Sequence, residues 1–249
     1  MNVASLSEEE YAEVSPYIEM AARLGQLLGH EAGAGVTGDG LGSVESISLT
    51  YNGRLAQLKT DLIRNAAIAG VLHGADGINR INAAAAAAER GIRVQEDKRE
   101  QVAGGTGATL RLSLHWVRKG DGTPGHQAGP NQGDWTGLAT VIHGNSPRLL
   151  SYDGIDIEAE LAGALVIIRN QDVPGVIGRI GTILGEARLN IANFALGRSR
   201  GGRVREGHAL AVVQLDVAPG DESALAEATA ELKKVDAITS VRVVELPKL

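Results

Sequence analysis

Apolar positions along the chain change period several times, and each change marks an element. Ser7-x-x-Glu10 has the form of a capping box, and Ser15-Pro16 offers a cap followed by proline at a first helical position. Ile18, Ala21, Leu24, Leu27 and Leu28 recur at helical spacing and predict an amphipathic helix over 15–29. Val44, Ile47 and Leu49 predict a strand that ends in the turn Tyr51-Asn52-Gly53. A second helical stripe runs through Leu55, Leu58, Leu62, Ala66, Ala69 and Leu72, and the alanine run of 78–90 predicts a third helix stopped by Gly91. Strands are predicted over 92–96, 110–117, 135–143, 147–151 and 154–158. The glycine-rich stretches 31–42 and 119–133 read as loops.

From residue 162 the pattern becomes more regular. Ala164–Ile168 is a continuous apolar run, as in a buried strand. Residues 174–189 predict a helix with Val176, Ile177, Ile180, Ile183, Leu184 and Ala187 inward. Strands over 191–196 and 209–217 flank a Gly/Arg-rich hairpin, and a helix over 221–234 precedes a last strand over 238–246. The order β-α-β-β-α-β is the split βαβ, or ferredoxin-like, arrangement. The expected fold class is therefore α+β. An α/β domain with a mixed sheet fills 1–160, and a ferredoxin-like domain fills 161–249.

Composition narrows the function. The chain has 249 residues, 43% hydrophobic and 22% charged, ordinary values for a globular protein. Aromatic residues make up only 3%, too few for a base-stacking surface. A net charge of −6 argues in the same direction, because nucleic acid and anionic membranes are usually met by a basic patch. The absence of cysteine removes disulfides and thiolate chemistry from the described possibilities and fits a reducing compartment. No apolar run approaches the roughly 20 residues of a membrane span, and the acidic start MNVASLSEEEY is not a signal peptide. The expectation is a cytoplasmic protein without nucleic-acid or membrane partners.

Two glycine strings invite catalytic readings that their context weakens. Gly33-Ala34-Gly35-Val36-Thr37-Gly38 spells the dinucleotide fingerprint, but a predicted helix precedes it and a predicted strand follows, the reverse of what a pyrophosphate site needs. Gly197-Arg198-Ser199-Arg200-Gly201 spells G-x-S-x-G inside a hairpin, where a nucleophile elbow belongs between strand and helix. The six histidines are dispersed, and there is no H-E-x-x-H and no Walker string. No catalytic residue, metal site or cofactor site is expected, and the chain reads as one that binds and regulates.

NQDVPGVIGRIG, residues 170–181, survives this screen. Asp172 lies just before a helix whose first turn carries unpaired N–H groups and a partial positive charge. A carboxylate ligand suits those donors, while Asn170 and Asp172 suit an ammonium. Asn190 stands at the far end of the helix, about 20 Å away at 1.5 Å per residue. It would join the others only from a second copy, whose approach Gly178, Gly181 and Gly185 near one helical face would permit. A plain cap at Asp172 and a plain strand start at Asn190 fit the spacing equally well.

Residues 164–198, ALVIIRNQDVPGVIGRIGTILGEARLNIANFALGR, closely resemble an ACT domain of the kind that ends D-3-phosphoglycerate dehydrogenase. Upstream, NVASLSEEE, PYIEMAARLGQLL and INAAAAAAERGIRVQEDK resemble the intervening allosteric substrate-binding domain of the longer bacterial form. The resemblance covers nearly the whole chain, and it includes nothing like that family's NAD-binding, catalytic half. NAD is therefore expected only with a separate catalytic subunit, and this chain by itself is expected to be inactive.

The resemblance implies a regulatory region of serine biosynthesis, a homodimer or tetramer paired through its ACT domains, with L-serine or another small amino acid bound between them. Asn170, Asp172 and Asn190 fall on the serine-binding positions, with Gly175, Val176 and Ile177 forming the adjoining helix start. The first position is commonly His or Tyr in the family, so Asn170 bears on affinity or ligand choice. Lys98, after AERGI, and Arg148, in GNSPRLL, fall on basic positions for an anionic or phosphorylated effector; solvated surface charge is the plainer account of both. The neutral stretch Ala103-Gly104-Gly105-Thr106-Gly107 stands where the family can carry a further arginine. The alternatives are a pure oligomerisation module with a vestigial pocket and the regulatory part of an L-serine dehydratase. The AERGI segment favours the dehydrogenase.

Overall fold

The computed structural model describes residues 7–32, 43–100, 107–117, 132–142, 145–199, 207–218 and 220–249. The chain divides into two compact units, Met1–Arg148 and Leu149–Leu249.

In the first unit, α1 (Glu8–Ala32) starts at the capping box and not at Ser15-Pro16. The Ser7 N–H donates to Glu10 Oε2 at 2.9 Å, and the Glu10 N–H donates to Ser7 Oγ at 3.2 Å. Two otherwise orphaned donors are thereby satisfied. Pro16 lies inside the helix, where it cannot donate to the Ala12 carbonyl. The Ser15 hydroxyl approaches that carbonyl instead, at 3.4 Å.

The next elements are β1 (Ser43–Asn52), a 3-10 turn (Gly53–Gln57) and α2 (Asp61–Val71). The single predicted stripe over 55–72 is thus broken at Leu58, which is extended. The third helix, α3 (Ala83–Glu89), is shorter than predicted. Asn79 Oδ1 accepts from the N–H groups of Ile81 and Asn82, and Asn82 Oδ1 accepts from the Asn79 N–H, so 79–82 is held as a turn.

Five strands follow, namely β2 (Arg93–Arg99), β3 (Thr109–Val117), β4 (Gln132–Ile142), β5 (Ser146–Tyr152) and β6 (Ile155–Glu160). With β1 they form a sheet in the order β2-β1-β3-β4-β5-β6. It is mixed, because β1 pairs parallel with β2 and antiparallel with β3. In the first unit α1 lies against β3 and β4 and packs closely on α2. Glycine makes that approach possible: a Cβ on Gly70 would sit 2.1 Å from the Ala22 carbonyl oxygen, and one on Gly25 2.2 Å from that of Ala67.

The second unit contains β7 (Gly163–Gln171), α4 (Val176–Glu186), β8 (Asn190–Arg198), β9 (His208–Asp216), α5 (Glu222–Leu232) and β10 (Ile238–Leu246). The sheet order is β10-β7-β9-β8, the antiparallel sheet of the expected βαββαβ pattern. One face packs on the two helices through Val166, Ile168, Ile180, Leu184, Val213 and Leu232. Leu165, Ile167 and Val212 are buried on the other face. Part of that face is covered by β6, which approaches β8 so closely that a Cβ on Gly197 would lie 2.4 Å from the Asp156 carbonyl oxygen. Arg169 ties the hairpin to the sheet, pairing with Asp153 at 3.1 Å and lying 5.3 Å over the Tyr152 ring. The β5–β6 hairpin, which a boundary at 160 assigns to the first domain, therefore groups mostly with the second unit.

Three features read from the sequence lie largely outside the described residues. They are the G-x-G-x-x-G string at 33–38, the neutral stretch at 103–107 apart from Gly107, and the loop at 119–133 apart from Gln132 and Gly133. Among the described residues no helix is long and apolar enough to cross a membrane.

Candidate functional site

β7 ends at Gln171, and the chain turns through Asp172–Gly175 into α4. Gly175 is the residue before the helix, with φ 91°, a left-handed conformation that suits glycine. Among the described residues no side chain caps this helix start. Asp172 therefore is not a plain helix cap, and the first-turn N–H groups of α4 lack intrahelical acceptors.

A cavity of about 290 Å³ opens here, lined by Asn170, Asp172, Val173, Pro174, Gly175, Val176, Ile177, Leu196 and Arg198. Five of the six residues expected to bind an amino acid lie together in its wall. Asn170 is only 3% exposed. Its Nδ2 donates to the Gln171 carbonyl at 2.7 Å, while its Oδ1 is buried without a hydrogen-bond partner among the described residues. The Asp172 N–H donates to the Gly207 carbonyl at 2.7 Å, which fixes the backbone and leaves the carboxylate turned to Arg198, whose Nε lies 3.2 Å from Oδ2.

Val173 and Pro174 add to the wall from within the 170–181 stretch, and Leu196 and Arg198 are the wall residues from outside it, which sequence reasoning missed. The topology that brings them in was itself readable. A split βαβ crossover leaves β7 and β8 parallel with β9 between them, so both strands end at the same edge. Ala209 of β9 pairs with Asn170 on one side and with Arg198 on the other.

Asn190 is not in this wall. It begins β8 while Arg198 ends it, so at about 3.3 Å per residue it lies roughly 25 Å from the Asp172–Arg198 pair in the same chain. Its Nδ2 donates to Asp216 Oδ2 at 2.7 Å. A second cavity, of about 450 Å³, lies at that opposite end of the sheet and includes Gly163, Asp216 and Glu245. It contains none of the residues expected to bind the amino acid.

On α4, a Cβ at Gly178, Gly181 or Gly185 would meet nothing within 4 Å among the described residues. The helix offers a smooth face there, beside Val173 and Ile177, which are 46% and 47% exposed.

The hairpin string Gly197-Arg198-Ser199 is also explained by packing. Gly197 admits β6, Arg198 pairs with Asp172, and the Ser199 N–H donates to the His208 carbonyl at 2.9 Å, continuing the hairpin. Ser199 thus sits between two strands, not at a nucleophile elbow.

The two basic positions of the first unit do not converge within one chain. Lys98 lies on β2, an edge of the six-stranded sheet, and Arg148 lies on β5, with β1, β3 and β4 between. Four strand steps of about 4.8 Å separate them by roughly 19 Å. Lys98 is exposed, and its Nζ reaches the Leu58 carbonyl at 3.4 Å. Beside it, the Tyr51 hydroxyl donates to Glu96 Oε2 at 2.8 Å, and Arg64 pairs with the other oxygen of Glu96 at 3.0 Å. Burial, with the Glu96 carboxylate second, pushes the Tyr51 phenol well above its ordinary value.

Comparison with known proteins agrees with both halves of this description. Residues 13–119 match the D-3-phosphoglycerate dehydrogenase intervening domain, and residues 164–237 match the ACT domain. The chain joins a dehydrogenase-type intervening domain to an ACT domain. Curated relatives align with nearly the whole of it. D-3-phosphoglycerate dehydrogenase of Bacillus subtilis is 28% identical over 99% of this chain, and that of Archaeoglobus fulgidus 27% identical over 99%. The Synechocystis enzyme of that name is 29% identical over 87% of the chain and 35% of its own length. The chain spans 41% of the length of each of the first two relatives, and its domain make-up is that of a C-terminal regulatory region of such an enzyme. The pocket above belongs wholly to the ACT domain.

Proposed function

We propose that this chain is the amino-acid-sensing and subunit-pairing region of a D-3-phosphoglycerate dehydrogenase, with L-serine as its ligand. The reading is carried by one observation: among the described residues Asn170 Oδ1 is buried, without a partner, in the wall of a cavity beside the open start of α4. An unsatisfied buried acceptor costs about 1–3 kcal/mol, and a ligand ammonium supplies the missing donor. Asp172 adds the negative charge that favours a cation at that point. The ligand carboxylate then meets the N–H groups of Val176 and Ile177 at the positive end of the helix dipole.

Asn190 completes the site from a second subunit, because in its own chain it lies at the other end of the sheet. The open glycine face of α4 supports such a partner's approach. Isothermal titration calorimetry with L-serine tests the reading. Saturable binding at or below millimolar serine is expected. Asp172→Ala should abolish it while the far-UV circular dichroism stays unchanged. A correctly folded dimer that takes up no serine at millimolar concentration would contradict the proposal.

A further inference from the structure

We infer that Arg198 joins the Val176 and Ile177 N–H groups in reading the ligand's carboxylate, which strengthens the pocket's selection of zwitterionic α-amino acids over simple amines; this rests on the amino-acid reading given above. Arg198 Nε sits 3.2 Å from Asp172 Oδ2, and the side chain is 68% exposed. An ion pair this open to water contributes at most about 1 kcal/mol, so a ligand opens it at little cost. The guanidinium has five donors, and its closest approach to Asp172 is through Nε.

The geometry fits one ligand chemistry better than its fragments. In an α-amino acid the ammonium nitrogen and the carboxylate carbon lie about 2.5 Å apart, across one tetrahedral carbon. Such a molecule enters between Asp172 and Arg198 with its charges in the matching order, and turns one ion pair into two. An amine alone takes Asp172 but leaves Arg198 beside a second cation. A carboxylate alone places two anions together at Asp172. Both fragments therefore lose what the zwitterion gains.

Arg198 is also held where this role requires. It is the last residue of β8, pairing with Ala209, and Ala209 pairs on its other side with Asn170. The guanidinium and the buried amide thus flank one strand position, set by the sheet ladder and not by a loop. The competing account is that Arg198 merely quenches Asp172. The two accounts differ in sign. A quencher, once removed, frees Asp172 and strengthens binding of any ammonium. A carboxylate reader, once removed, weakens amino-acid binding and narrows the preference over amines.

The experiment is calorimetry on the full chain with L-serine, glycine and L-alanine as amino acids, ethanolamine as the matched amine and 3-hydroxypropionate as the matched acid. The wild type should bind an amino acid at least about 10-fold more tightly than ethanolamine or 3-hydroxypropionate. Arg198→Ala should weaken that amino acid by about 10-fold or more and narrow its advantage over ethanolamine by at least the same factor, with Arg198→Lys intermediate. An Arg198→Ala chain that binds the amino acid as tightly as the wild type, or keeps the same preference, overturns the inference alone. A wild type that binds none of the three amino acids overturns the site reading, and this inference falls with it.

Discussion

Asn170 combines two properties that rarely coexist at a purely structural position. It is buried, and half of its amide has no partner among the described residues. That predicts a trade between stability and binding. Asn170→Leu removes the unsatisfied acceptor and should leave the thermal midpoint unchanged or raise stability by up to about 1 kcal/mol, while amino-acid binding is lost. A clear fall in stability on that substitution would show that the amide is there for the fold. Asn170 and Asp172 were legible because they precede a Pro-Gly helix start, a local signal. Arg198 and Leu196 were not singled out, although the split βαβ order puts the ends of β7 and β8 at one edge. What was missing was the step from topology to register, which sets Asn170 and Arg198 on either side of Ala209.

At the scale of elements, the helices divide by what their glycines face. Gly70 of α2 lies against the backbone of α1, and a Cβ there would collide with the Ala22 carbonyl oxygen. Gly70→Ala should destabilise the first unit by about 1–3 kcal/mol or more, because two backbones would have to separate. Gly181 of α4 faces open space. Gly181→Ala should raise helix stability by up to about 1 kcal/mol in an isolated subunit. In chemical denaturation monitored at low and high protein concentration, the substitution should therefore stabilise the dilute chain and weaken the dimer at high concentration. Stabilisation at both concentrations would mean that this face meets no partner.

Helix boundaries were legible to the extent that the cap was local. Ser7 and Glu10 announced the start of α1, and the structure contains their reciprocal hydrogen bonds. Ser15-Pro16 gave a competing signal that lost, because Ser15 supplies a hydroxyl to the carbonyl that proline leaves without its N–H. The late start of α3 reflects paired asparagine turns at 79–82, whose side-chain bonds compete with the helix.

For the molecule as a whole, the order of elements was readable from hydrophobic period throughout the second unit, and the match to an ACT domain follows that order. The division after Arg148 was less so, because it depends on packing between elements distant in sequence. One clue was present. The run Ala164–Ile168 is apolar without alternation, the pattern of a strand covered on both faces, and on the second face the β5–β6 hairpin meets β7 through Arg169, which pairs with Asp153 and lies over Tyr152.

The central claim is a ligand site assembled from two subunits, with Asn170 and Asp172 from one and Asn190 from the other. Mixing two disabled chains tests it most directly. Asp172→Ala and Asn190→Ala should each bind no L-serine by calorimetry. Co-refolded at equal amounts, they should regain about a quarter of the wild-type number of sites, since half of the dimers are mixed and each mixed dimer keeps one intact site of two. No recovery on mixing, with heterodimers present, would contradict a shared site.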